Sequence, residues 1–176
     1  GTLVMQRSGG NAAIGLSGTD FISFGSNTDA QISANLLLNS TTDVNIASAL
    51  TMRLSSIIDG VGGLNKTGTG DLLLGNLSLP AAANTYSGIT TISSGTLTIL
   101  TGSGLGSTAG GTIVSAGAAL RLNGGFTVGA EPLTLNGTGV ANDGALVSIF
   151  NSTTYQGAIT LGSTSTIRHI AGGVTE

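Results

Sequence analysis

Gly62-Gly63-Leu64-Asn65-Lys66-Thr67-Gly68-Thr69-Gly70-Asp71-Leu72-Leu73-Leu74 decides how this chain folds. Asn84-Thr85-Tyr86-Ser87-Gly88 and Gly95-Thr96-Leu97-Thr98-Ile99 follow it in the same style. Each is a short run of apolar residues alternating with polar ones, closed by Gly, Asn, Ser or Thr. Alternation at period two puts one face of a strand in a core and the other in solvent. Strands this short, separated by tight turns at nearly even spacing, describe a coil of stacked strands rather than a sandwich of long ones.

Working outward, the same pattern fills the chain. Strands are expected at 3–5, 14–16, 22–24, 32–38, 44–46, 50–54, 72–74, 89–92, 97–99, 113–114, 120–122, 133–135, 146–149, 159–161 and 167–170. Most leave a polar residue on the opposite face, as Leu97 and Ile99 do with Thr98, and Leu120 and Leu122 with Arg121. Turn residues separate them at Ser8-Gly9-Gly10-Asn11, Gly60-Val61-Gly62-Gly63, Ser94-Gly95, Gly110-Gly111, Asn123-Gly124-Gly125, Asn136-Gly137 and Gly172-Gly173. Only 47–58 admits a helical reading, and the alternation of Leu50, Met52 and Leu54 favours a strand there too.

Internal repeats set the architecture. Gly1-Thr2-Leu3-Val4-Met5 returns as Gly95-Thr96-Leu97-Thr98-Ile99, Thr85-Tyr86-Ser87-Gly88 as Thr154-Tyr155-Gln156-Gly157, and Ile92-Ser93-Ser94-Gly95 as Val114-Ser115-Ala116-Gly117. With a rung of roughly 23 residues, these offsets are four, three and one rungs. Leu133, Leu146 and Ile159 recur at half that spacing, so those rungs carry two strands each. We therefore expect an all-β fold, one parallel β-helix (β-solenoid) domain over 1–176. Roughly seven rungs at about 4.8 Å each make a rod of about 35 Å.

Composition agrees and removes several function classes. Only 7% of the 176 residues are charged, 40% are apolar, 30 are glycine and none is cysteine. A typical globular chain is roughly 25% charged, so the outer faces here must be Thr, Ser, Asn and Gly. The absence of cysteine removes disulfides, thiol nucleophiles and Cys-ligated metals. Arg7, Arg53, Lys66, Arg121 and Arg168 stand singly along the sequence, with no run to neutralise phosphates, so no nucleic-acid partner is expected. No apolar run is long enough for a membrane helix, and no membrane insertion by this segment is expected. Gly1 to Gln6 has neither the basic nor the apolar part of a signal peptide, which places any export signal outside this chain.

At Gly62-Gly63-Leu64-x-Lys66-Thr67-Gly68-x-Gly70-x-Leu72-x-Leu74 and Asn84-Thr85-Tyr86-x-Gly88-x-Thr90-x-Ile92-x-x-Gly95-Thr96-Leu97 the sequence resembles the autotransporter-associated β-helix repeat, also called the passenger-associated transport repeat. Later stretches, such as Glu131-Pro132-Leu133-Thr134-Leu135-Asn136-Gly137 and Tyr155-x-Gly157-x-Ile159-Thr160-Leu161, are similar to the segments between such repeats. The resemblance covers roughly residues 50–170; residues 1–49 match in style. It implies a right-handed parallel β-helix, export to a bacterial cell surface or the extracellular space, and a structural or adhesive passenger role. That family has no shared catalytic residues, so none is carried over. Neither its C-terminal membrane barrel nor a terminal cap is written here, and the chain reads as a segment of a larger repetitive protein.

Chemical sites are sparse. Gly68-Thr69-Gly70-Asp71-Leu72 echoes a nonapeptide calcium repeat, but that site needs tandem copies; Asp71 reads as a solvated turn residue. His169 is the only histidine, which forbids a multi-His metal centre and requires any Ser-His-Asp triad to use it, with Asp143 or Glu131. It reads as a solvated rim residue. Polysaccharide-cleaving β-helices need grouped carboxylates. Asp20, Asp29, Asp43, Asp59, Asp71, Glu131, Asp143 and Glu176 are spread thinly, with Asp59–Lys66 and Glu131–Arg121 as incidental ion pairs. Tyr86 and Tyr155 occupy equivalent repeat positions and read as packing near a turn. Paired threonines such as Thr96/Thr98 echo ice-binding arrays without forming a strict one.

The expected function is thus non-enzymatic: a rod or stalk segment supporting adhesion, with no catalytic, cofactor-binding or metal-binding residues and no cofactor. Its expected partners are neighbouring repeats or identical subunits end to end, and cell-surface or matrix components. The first alternative is a filament subunit stacking head to tail through uncapped solenoid ends, since open strand edges invite pairing. The second is a polysaccharide-active enzyme.

Overall fold

The computed structural model describes residues 4–5, 13–16, 21–24, 30–47, 50–75 and 83–171, as backbone alone up to residue 30. The signals at Ser8-Gly9-Gly10-Asn11 and Gly172-Gly173, and Arg7, Asp20, Asp29 and Glu176, lie outside the described residues.

Strands are numbered in chain order. One sheet stacks β1 (Val4–Met5), β4 (Ala30–Ile32), β7 (Thr51–Leu54), β10 (Asp71–Leu74), β12 (Gly95–Ile99), β14 (Ala118–Asn123), β17 (Leu146–Ile149) and β20 (Ile167–Ile170). A second stacks β3 (Phe21–Phe24), β6 (Thr42–Ile46), β9 (Leu64–Thr67), β11 (Thr90–Ile92), β13 (Thr112–Val114), β16 (Leu133–Gly137) and β19 (Ile159–Ser165). The third face has β2 (Ala13–Leu16), β5 (Asn35–Leu38) and β8 (Ile58–Gly60), and farther along β15 (Thr127–Val128) and β18 (Thr154–Tyr155). Every pairing is parallel, and neighbours in each sheet are one rung apart in sequence. This is a β-solenoid of six to seven turns, close to the seven rungs expected. Among the described residues the sole helical piece is a single 3-10 turn, Val140–Asn142.

Register confirms the repeat offsets. Val4 sits on Gln31, then Arg53, Leu73 and Thr98, which is four rungs. Ile92 pairs directly with Val114, and Leu133 with Ile159, while Leu146 belongs to the other sheet of its rung. The expected strand over 32–38 is divided: β4 ends at Ile32, Ser33 and Ala34 turn a corner, and β5 runs along a different face. The period-two alternation of Ile32, Ala34, Leu36 and Leu38 runs unbroken across that corner and hid it. The short strands β8, β9, β15 and β18 were not expected, because Gly60, Lys66 or a length of two residues disguises their alternation.

Alternation produces the core as expected. Met52, Leu72, Leu97, Leu120 and Leu146 form one inward row, each directly above the last and each 5% exposed or less. No rung encloses apolar volume alone, so stacking supplies the hydrophobic stabilisation.

The glycine content is explained at the corner between the third face and the second sheet. There Ser40, Gly62, Gly88, Gly110, Glu131 and Gly157 stack in turn. A Cβ at Gly88, Gly110 or Gly157 would land on the backbone of the rung before it. Glycine lets successive corners approach closely.

Candidate functional site

The residues with chemistry in the repeat motif point into the solenoid. Lys66 alternates inward between Val44 and Ile92 and is fully buried. Its ammonium donates to the carbonyls of Thr67 (2.9 Å), Gly68 (2.8 Å) and Ser94 (3.2 Å), joining two successive rungs at their corner. Gly95 closes this cage: at φ 68° a Cβ there would lie 2.5 Å from the carbonyls of Gly68 and Gly70 and 2.9 Å from the amine. Burial lowers the Lys66 pKa to about 8, against the opposing pull of Asp71.

Asn84 is also interior. Its amide oxygen accepts from the Ile58 backbone N–H (3.0 Å) and its nitrogen donates to the Gly104 carbonyl (2.9 Å), clamping the rungs on either side. Tyr86 is fully buried, with its hydroxyl 2.6 Å from Thr90 Oγ1. Directly above Thr90 stands Thr112, whose hydroxyl donates to Glu131 at 3.0 Å. Glu131 is only 2% exposed, and burial raises its pKa against the Thr112 hydrogen bond. The phenols of Tyr86 and Tyr155 are pushed up by burial first, with Glu131 adding to both.

Several sequence expectations are corrected. Asp71 is in strand β10, not a turn, and accepts from Thr98 Oγ1 at 3.0 and 3.2 Å. Burial raises its pKa. Thr96 and Thr98 point outward yet are nearly buried, so they are no open threonine array. Neither incidental ion pair forms: Asp59 accepts from Thr85 and the Gly60 N–H, Lys66 faces carbonyls, and Glu131 faces Thr112. The arginines are also less scattered than they read. Arg53, Arg121 and Arg168 fall on one outward row of the first sheet, an alignment that only stacking creates, with Leu73 and Thr98 between the first two and Val147 between the last two. Arg168 pairs with Asp143, and Arg121 acts on Asp71.

His169 is exposed, as expected, but it stands on the row that faces the core in earlier rungs. Its proposed acids are engaged elsewhere, Asp143 by Arg168 and Glu131 by Thr112. Among the described residues, no group of three or more His, Cys, Asp or Glu side chains is placed to hold a metal ion. No described helix is long and apolar enough to cross a membrane.

The last turn is the other place where polar groups gather. Ser148, Tyr155 and His169 line a cavity of about 540 Å³ there. Ile159, Leu161 and Ile167 of the same turn are 39%, 57% and 55% exposed. No protein-family model, curated protein or solved structure matches the chain.

Proposed function

We propose that this chain is a non-enzymatic rod segment of an exported bacterial cell-surface or extracellular protein, which spaces and supports adhesive parts. The observation that carries the reading is that the motif's reactive side chains are consumed in holding rungs together. Lys66 fills a carbonyl cage, Asn84 bridges two backbones, and the Tyr86 hydroxyl is bonded inside the core. A buried tyrosine offers no stacking platform for a sugar. The export and surface parts rest on the resemblance of residues 62–97 to the autotransporter-associated repeat. Antibodies raised against the 176-residue chain should label intact cells of the source bacterium. Labelling only after lysis refutes the surface reading. Release of sugar products from a polysaccharide panel would refute the non-enzymatic one.

One observation favours a second reading, head-to-tail filaments. Strands β18, β19 and β20 each stand at an edge of their sheets, beside the exposed Ile159, Leu161 and Ile167. Parallel edges with apolar flanks accept further strands. Negative-stain microscopy over a dilution series would show filaments one solenoid wide that vanish with Ile167→Lys, or discrete rods at every concentration.

A further inference from the structure

The outward rows of the two long sheets differ in charge. Arg53, Asp71, Arg121 and Arg168 stand on the first sheet. On the second, Asp43, Asn65, Thr91, Ile113, Thr134 and Thr160 form one row, with Asp43 its only charge. Asn65 is already satisfied at both ends of its amide: the nitrogen donates to Asp43 (2.8 Å) and the oxygen accepts from Ser93 (2.7 Å). From Asp43 to Thr160 the row offers no cation for a phosphate and no aromatic platform for a sugar.

A neighbouring outward row runs along the strand starts. Thr42, Leu64, Thr90, Thr112 and Leu133 each begin a strand, and their N–H groups donate to the carbonyls of Gly63, Ile89, Gly111, Pro132 and Ala158, one rung on. Those five acceptors are therefore stacked. Ile89 is 48% exposed and Pro132 is exposed, whereas Gly63 and Gly111 have no side chain and are buried. From Gly63 to Pro132 the row alternates recess, knob, recess, knob at one-rung spacing.

Such a row is complementary to itself when reversed. A two-fold axis lying in this face, across the rod between the rungs of Ile89 and Gly111, keeps each row on itself and reverses the order of rungs. It sets Ile89 over Gly111 of the second copy and Pro132 over Gly63, each twice, which is the isologous contact of a C2 dimer. In the neighbouring row it sets Ile113 on Thr91 and Asp43 on Thr160, so no like charges meet. Six rungs cover about 500 Å² on each copy, at the small end of specific interfaces, which makes the pairing reversible. We propose that two copies of this chain pair side by side and antiparallel through the outer face of the second sheet. The contact uses the flank of the rod, not its ends.

Sedimentation velocity of the full chain over about a hundredfold concentration range should show a monomer–dimer equilibrium. Ile89→Lys should weaken it at least about thirtyfold, the effect of losing a central apolar anchor. Its melting temperature as a monomer should match wild type, because Ile89 is on the surface. Ile167→Lys, in the last turn, should leave the equilibrium unchanged. The chain has no cysteine, so direction is read with Asp43→Cys and Thr160→Cys. A short bis-maleimide should join a mixture of the two variants and neither variant to itself, because in the antiparallel pair like positions lie five rungs apart, about 24 Å along the axis. A monomer at every concentration overturns the proposal, as does pairing that survives Ile89→Lys or is lost in Ile167→Lys. Cross-linking of either cysteine variant to itself equally overturns it.

Discussion

Tyr86 and Tyr155 occupy the same place in the repeat, three rungs apart, and meet opposite fates. Tyr86 is sealed in the core, bonded to Thr90 and flanked by the Asn84 clamp. Tyr155 is half-buried, its hydroxyl unpaired, beside a cavity and exposed isoleucines. The contrast separates two uses of one scaffold. Where motif residues pair across rungs, polar chemistry becomes architecture. In the turn of Tyr155, its hydroxyl and that of Ser148 are buried without a partner.

The most severe test of the architectural region is Gly95→Val. It puts a branched Cβ against two carbonyls and the Lys66 amine at a left-handed φ. We expect a loss of about 4 kcal/mol in urea unfolding. Ile167→Ala in the last turn, at 55% exposure, should cost less than about 1 kcal/mol. Equal losses would erase the distinction between the regions.

Lys66→Met removes a donor shared by three carbonyls, for an expected loss of about 2 kcal/mol at pH 7. It also has a pH signature. The folded-state pKa of about 8 lies below the ordinary 10.5, so above pH 8 the unfolded chain holds more protons than the folded one. Wild-type stability should therefore rise from pH 8 toward 10, all else equal. Above that, ionisation of tyrosines in the unfolded chain opposes the rise, because Tyr86 and Tyr155 keep their protons when folded. Urea midpoints at pH 7, 8, 9 and 10 measure the slope. It should be flattened in Lys66→Met, and an unchanged slope assigns it to another group.

The tyrosine pair can be compared directly by removing each hydroxyl. Tyr86→Phe should lose about 1 kcal/mol with its hydrogen bond to Thr90, while Tyr155→Phe should be neutral or slightly stabilising. A matching loss at Tyr155 would reveal a partner for its hydroxyl. The smallest effect is expected at Glu131, which lies near both phenols. Because burial raises its folded pKa, the stability associated with its proton is present at low pH and lost as pH rises past the ordinary 4.5 and through the folded value. Glu131→Gln, which keeps an oxygen for Thr112, should remove this decline, so its melting temperature should exceed wild type at pH 7 and not at pH 4.

Much of the fold was legible in the residues because stacking obeys period two and a repeat near 23. Leu97 over Leu72 and Ile92 under Val114 follow from alternation and offset alone. The corner at Ser33 and Ala34 was not legible, since the alternation of Ile32, Ala34, Leu36 and Leu38 runs straight through it. Nor was the burial of Lys66 and Asp71. A charged residue in an alternating strand reads as solvated until the carbonyls or hydroxyl that receive it are brought near by the next rung. The row of Arg53, Arg121 and Arg168 was hidden for the same reason, with more than forty residues between its members.

The sequence by itself determined that the chain is all-β, parallel and coiled, because alternation, turn residues and repeat spacing are local properties of the chain. Only the tertiary structure decided which polar groups are spent and which remain. Pairing of Lys66 with Ser94, or Thr112 with Glu131, depends on where successive corners fall. The hydroxyl of Ser148 is unpaired because a row that is aliphatic for five rungs turns polar there, and that of Tyr155 because Ile159 stands where Thr90 serves Tyr86.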